Sequence, residues 1–228
     1  MGLDLTPLPK PKLGYEDRFK EIFNILKDMQ DEDYSKSPSI IELFIKKKYR
    51  LQRKLLREWH QNSISSFDTI KAPRVGYDDE ADNWFLKSNK TDNEKLSDKT
   101  LIKKNKGFYV IELAKEIEGV PIGKYCARAG YRNGFRGEYL RNCEDLIGDL
   151  VYGIYGSSLA EGTLEYGYKL INKADEIAKK HDLIYLKKQR EAPDEWSGHI
   201  KSRLHLIYSL ANWLIFYGKN GHGYEADF

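Results

Sequence analysis

Apolar residues recur at helical spacing along most of the chain. Phe19, Ile22, Phe23, Leu26 and Met29 stand at i, i+3, i+4, i+7 and i+10, one stripe of a helix that the pattern places from about 15 to 31. Ser37 and Pro38 then supply a cap and a first-turn proline. Ile40, Ile41, Phe44, Ile45, Leu51, Leu55, Leu56 and Trp59 follow with the same period, predicting a second helix from about 38 to 61.

The C-terminal half carries three more such patterns. Leu140, Cys143, Leu146, Ile147, Leu150, Val151 and Ile154 predict a helix from Glu138 to about Tyr155. Ser157 and Ser158 with Glu161 resemble a capping box opening a helix to about Lys180, and the short connection predicts an antiparallel hairpin. Ser197 caps a last helix from Gly198 to about Tyr217, where Leu204, Ile207, Leu210, Leu214 and Trp213 make more than one side apolar. That helix is the expected centre of the core.

The remaining segments are less regular. Pro7, Pro9 and Pro11 exclude a helix or a central strand, so residues 1–14 are expected to form an extended arm. Residues 62–106 carry little periodicity, with a short helix expected near Asp79 to Lys87 or Asp98 to Lys104. The stretch from Gly107 to Glu118 mixes strand propensity with helical spacing, and a helix is the favoured reading. The expected fold is mainly α, an irregular bundle of six to eight helices around the C-terminal one. Residues 15–228 form one domain, with a possible subdivision near 62–106.

Composition narrows the class of protein. Hydrophobic residues are 40% and charged residues 32%, too apolar for disorder and too polar for a membrane protein. No apolar run approaches the roughly 20 residues of a bilayer span, and Met1 to Lys12 lacks the apolar region of a secretory signal. Cys126 and Cys143 are the two cysteines, read as reduced thiols of a cytoplasmic protein.

Net charge is +3, with 22 Lys+Arg against 18 Asp+Glu up to residue 107 and 16 against 17 beyond it. The basic excess gathers on the second predicted helix, in Lys46, Lys47, Lys48, Arg50, Arg53, Lys54 and Arg57. Such a run suits phosphates or an acidic partner, although surface helices also carry charge merely to stay solvated. Arg53 and His60, seven positions apart, share a face with a spacing similar to the Arg–His pair of HEPN-type ribonucleases. Lys54 follows the arginine where that family usually carries a polar residue.

Two glycine-rich segments are more specified than helix packing requires. In the first, Gly130 to Glu138, glycines free the backbone to turn while Arg132 and Arg136 supply charge, so Tyr131, Arg132, Arg136 and Glu138 are candidate ligand or partner contacts, together with Trp213. Its bland counterpart is a structural loop pinned by its arginines. In the second, Gly218 to Phe228, His222 stands near Glu225 and Asp227, a candidate acid–base pair if the tail docks on the body.

No Walker ending, dinucleotide fingerprint, His-Glu-x-x-His or Cys-x-x-Cys pattern is present, so neither a metal nor a cofactor is expected. The acidic group Asp78, Asp79, Glu80 and Asp82 lacks the remaining ligands of a calcium loop. With 16 tyrosines and four tryptophans, the leading expectation is a non-enzymatic module that sequesters a protein partner, of the immunity, antitoxin or anti-defence kind. Two alternatives stand beside it: an enzyme whose pocket joins the Arg132/Arg136 loop to the His222 tail, and a nucleic-acid binder using the basic helix. Whether the chain is an enzyme is left open by its sequence.

Overall fold

The helix from Ile200 to Lys219 is the most deeply buried element of the chain, with Leu204, Ile207, Leu210, Ala211, Trp213, Leu214 and Tyr217 all in the core. In this computed structural model the described residues are 2–31, 38–89, 96–114, 125, 134–195 and 198–227, with backbone alone for 30, 31, 38–47 and 89. The fold is mainly α, a multi-helix arrangement with few strands. Its contacts divide into two compact units, Met1–Leu8 with Ser66–Phe228, and Pro9–Ser65. The sequence expectation put boundaries after residue 14 and, possibly, within 62–106. No helix among the described residues is long and apolar enough to cross a membrane.

In the smaller unit, α1 (Glu16–Asp31) packs on α2 (Pro38–Gln61), both where the apolar period predicts them. Phe19 stacks on Trp59 with ring centroids 3.5 Å apart, and Ile22 and Leu55 are buried beside them. Glu58 joins the two helices, accepting hydrogen bonds from Arg18 Nε (2.8 Å) and Nη2 (2.9 Å) and from the Tyr15 hydroxyl. A short pairing of Lys10–Pro11 with Ser63–Ile64 closes the unit.

The larger unit surrounds the last helix. After α3 (Ser66–Ile70), the helices α4 (Asp79–Asn89) and α5 (Asp98–Lys104) both form, at the two places where a short helix was expected. Asp78 and Asp82 accept the backbone N–H groups of Arg74 and Gly76 at 2.6 Å each, so these carboxylates secure the turn before α4. Gly107 to Ala114 is not an α-helix. The Phe108 carbonyl accepts from the Val75 N–H and the Gly107 N–H donates to the Val75 carbonyl, Tyr109 bridges Arg74, and Ile111–Leu113 is a single 3-10 turn. The alternation of Phe108 and Val110 toward Val75, Ala81 and Phe85 outweighs the helical spacing, because a small apolar cluster lies on that side. Residues 115–118 lie outside the described residues.

The helix expected from Glu138 to Tyr155 is also replaced. Gly137–Cys143 is 3-10, α6 (Glu144–Ile147) makes one α turn, and Gly148–Tyr155 is 3-10 again. Gly148 adopts φ +56°, which breaks the α ladder, and a spacing of three buries Leu140 with Cys143 and Val151 with Ile154.

The long helix α7 (Ala160–His181) packs along α8 (Ile200–Lys219), its main neighbour. The expected capping box does not form: Leu159 is the N-cap, and Ser158 instead exchanges backbone hydrogen bonds with Tyr224. At α8 the cap is His199, whose Nδ1 accepts from the Lys201 N–H, while Ser197 lies outside the described residues. Asp175 of α7 takes the Tyr208 hydroxyl at 2.8 Å and Lys187 at 2.7 Å, tying the turn at 184–188 to both helices.

Residues Asp4–Pro7 are a central strand, contrary to the arm expected from the prolines. This strand, β1, lies between β4 (Phe135–Arg136) and β5 (Tyr224–Asp227), antiparallel to both, and β2 and β3 are the paired segments of the smaller unit. The proline rule fails here because Asp4, Leu5 and Thr6 retain their N–H groups, and Pro7 closes the strand at its end. Leu5 is fully buried between Phe135 and Ala226.

Candidate functional site

The two glycine-rich segments singled out from the sequence flank β1 on opposite sides, with that strand between them. Arg136 pairs in register with Asp4, and Asp4 in turn with Asp227. Arg136 is exposed, and its guanidinium is held charged by a hydrogen bond with Tyr139 and by the negative charges of Asp4 and Glu138. These contacts fit a loop secured by its arginine. Tyr131 and Arg132 lie outside the described residues.

His222 sits at the other end of the same sheet and is fully buried. Its Nδ1 is 2.9 Å from the Leu8 carbonyl and must donate to it, which leaves Nε2 to accept from the Thr69 hydroxyl at 2.7 Å in the neutral ring. One nitrogen thus holds the backbone at Leu8 and the other the side chain of Thr69, whereas Glu225 and Asp227 are exposed. Arg136 and His222 do not line one cleft, and Trp213, 1% exposed and in edge contact with Tyr217, offers no surface to a partner.

Other reactive side chains in the larger unit serve the core. His205 is buried, with Nε2 on the Gln189 carbonyl at 3.0 Å, and burial lowers its pKa below the ordinary histidine value. The Cys143 thiol is pushed up to about 11 by burial, far from the range of a reactive thiolate. No cluster of three metal-ligating side chains occurs among the described residues.

The basic helix presents a different picture. Between Glu42 and Glu58 the sequence holds seven Lys or Arg and no carboxylate. Arg50, Arg53, Lys54 and Arg57 are all exposed. At 100° per residue they fall within an arc of about 100°, directly opposite buried Leu55 and Trp59. Burial of that apolar pair against α1 thus fixes which way the cations point. Along the axis the four span about 10.5 Å.

Among the described residues no carboxylate forms a hydrogen bond or close ion pair with any of the four, although the Lys54 charge does act on Glu58. Glu58, the carboxylate closest in sequence, is engaged by Arg18 and Tyr15, and hydrogen bonds from those two hold its pKa down at about 2. His60 is exposed on the same face as Arg53, as their spacing requires. Lys46 and Lys47 lie outside the residues whose side chains are described. Pro9–Ser65 as a whole holds 13 Lys+Arg against 9 Asp+Glu, while the rest of the chain holds 25 against 26, so the positive charge belongs to the smaller unit.

No family model matches the chain, and neither a curated protein nor a solved structure matches it.

Proposed function

We propose that the protein is a non-enzymatic binding module that docks α2 on the phosphate backbone of a nucleic acid. The observation that carries this reading is the stripe of Arg50, Arg53, Lys54 and Arg57, exposed, uniformly positive and fixed on its helix by the packing of Trp59 and Leu55. Three of its members are arginines, whose planar forks match phosphate oxygens better than a lysine does. Contacts made by such charged side chains position a phosphate backbone without reading sequence.

The reading expected first from composition, sequestration of a protein partner, draws on exposed Tyr77, Tyr152, Tyr168 and Tyr185. These lie on four different segments, and no single observation gathers them into one patch. The enzyme alternative draws no support from the contacts of buried His222 and exposed Arg136, which engage different partners.

A mobility shift with a duplex and a single strand of unrelated sequences, titrated in salt, tests the proposal. Four phosphate contacts give a slope of log K against log salt of about −3.6 for duplex and about −2.8 for a single strand. Charge reversal of Arg50→Glu, Arg53→Glu and Arg57→Glu together should abolish the shift while leaving the circular dichroism spectrum unchanged. A shift that survives this variant, or wild-type protein that binds neither strand at low salt, overturns the reading; recovery of a stable protein complex in its place would favour sequestration.

A further inference from the structure

The exposed side of α2 is built of two adjacent rows with different chemistry. Arg50, Lys54, Arg57 and Gln61 stand at i, i+4, i+7 and i+11, so their side chains follow one another along the helix. Tyr49, Arg53, Leu56 and His60 repeat that spacing one residue earlier, which sets their row about 100° round the axis from the first. Every member of both rows is exposed, Tyr49 to 57% and Leu56 to 37%. The second row lies roughly opposite Glu58, the residue through which Arg18 and Tyr15 of the smaller unit grip α2.

The first row offers cations alone, ending in an amide. The second sets two rings, a guanidinium and an aliphatic side chain on one line. Among the described residues nothing stacks on, or hydrogen-bonds to, the rings of Tyr49 and His60. Tyrosine and histidine rings are side chains on which unpaired bases stack, and arginine adds a planar cation to the same platform. In a duplex the base faces are covered by the neighbouring pairs, so such a row would meet only base edges and backbone. A single strand carries phosphates along one edge and free base faces along the other, the division that the two rows present. Tyr49 and His60 stand about 16.5 Å apart along the axis, a span of roughly five nucleotides at about 3.4 Å each.

We infer that the nucleic acid bound by α2 is single-stranded, its phosphates on Arg50, Lys54 and Arg57 and its bases against Tyr49 and His60. The inference rests on the proposed docking of α2 on phosphates and adds the class of strand. Stacking accepts any base, so binding tolerates sequence.

Fluorescence anisotropy of the full chain with labelled ten-nucleotide probes tests it: oligo(dT), oligo(U), a duplex, and a phosphodiester strand whose sugars carry no bases. At matched salt, at least one of the two single strands should bind about tenfold more tightly than the base-free strand, and more tightly than the duplex. Tyr49→Ala should weaken that single strand about tenfold and leave the base-free strand unchanged, while Tyr49→Phe should keep the advantage. A duplex or base-free strand bound as tightly as both single strands, or a Tyr49→Ala variant as tight as the wild type on both, overturns the single-strand inference and leaves phosphate docking standing. Absence of binding to all four probes, or binding undiminished in the Arg50→Glu, Arg53→Glu, Arg57→Glu variant, overturns both.

Discussion

Gly218 on α8 rests directly against the main chain of Leu164 on α7: a Cβ at Gly218 would stand 2.9 Å from the Leu164 nitrogen and 3.0 Å from its Cα. Gly167 on α7 returns the contact, with a Cβ there 3.1 Å from the Ile215 nitrogen. Two helices approach this closely only where a side chain is missing on each. The larger unit is organised around that seam, since α8 buries most of its length there and on the turns that follow.

Gly218→Ala should therefore destabilise the protein by about 1–3 kcal/mol, the usual effect of overpacking a filled core. Thermal unfolding followed by circular dichroism measures it. Gly156→Ala is the matching control, because its φ of −108° suits alanine and nothing lies within 4 Å of the added Cβ. A change in midpoint for Gly156→Ala as large as for Gly218→Ala would contradict the packing argument.

Thr69→Val removes the hydroxyl that His222 Nε2 accepts from, inside a buried site. The expected cost is about 1–3 kcal/mol, that of a buried polar group deprived of its partner. Hydrogen exchange should speed at the Leu8 amide, which is bonded to the Gly223 carbonyl next to this ring. Unchanged protection at Leu8 would show that the histidine does not hold the strand.

Acid should loosen the two units in different windows. Glu58 has its pKa lowered from 4.5 to about 2 by Arg18 and Tyr15, so the folded state binds fewer protons than the unfolded one. The stability it contributes is complete above about pH 4.5 and is lost as pH falls toward 2. Trp59 fluorescence should follow that loss, and Glu58→Gln should remove it. His205 has its pKa lowered from 6.5 by burial, and its contribution drains as pH falls below that value. His205→Gln should flatten the stability profile between pH 7 and 5.

Cys143 should resist thiol reagents at pH 8 in the folded protein, since burial holds its pKa at about 11. In a Cys126→Ser background, labelling should track global unfolding in denaturant. Rapid labelling under native conditions would contradict its burial.

Strong periodicity made α1 and α2 legible, because Phe19, Ile22, Leu55 and Trp59 bury one face and the charges occupy the other. The central role of α8 was legible for the complementary reason, an apolar surface too wide for a surface helix. Residues 138–155 were misread since buried positions three apart serve 3-10 turns as well as α-helix, and only Gly148 marked the difference. Ser158 looked like a cap because a cap and a strand bridge call on the same residue type, and its partner Tyr224 is remote in sequence. Of the candidate site, the cation run was visible at once.

The strand Asp4–Pro7 and the residues that complete its sheet are made far apart in time. Leu8 and His222 are 214 positions apart, so at ordinary translation rates the strand waits on the order of ten to forty seconds for β5. Through that interval it is an orphan edge of the sort that recruits wrong neighbours. Pro7, Pro9 and Pro11, which cannot donate to a foreign ladder, stand beside it as gatekeepers on the nascent chain.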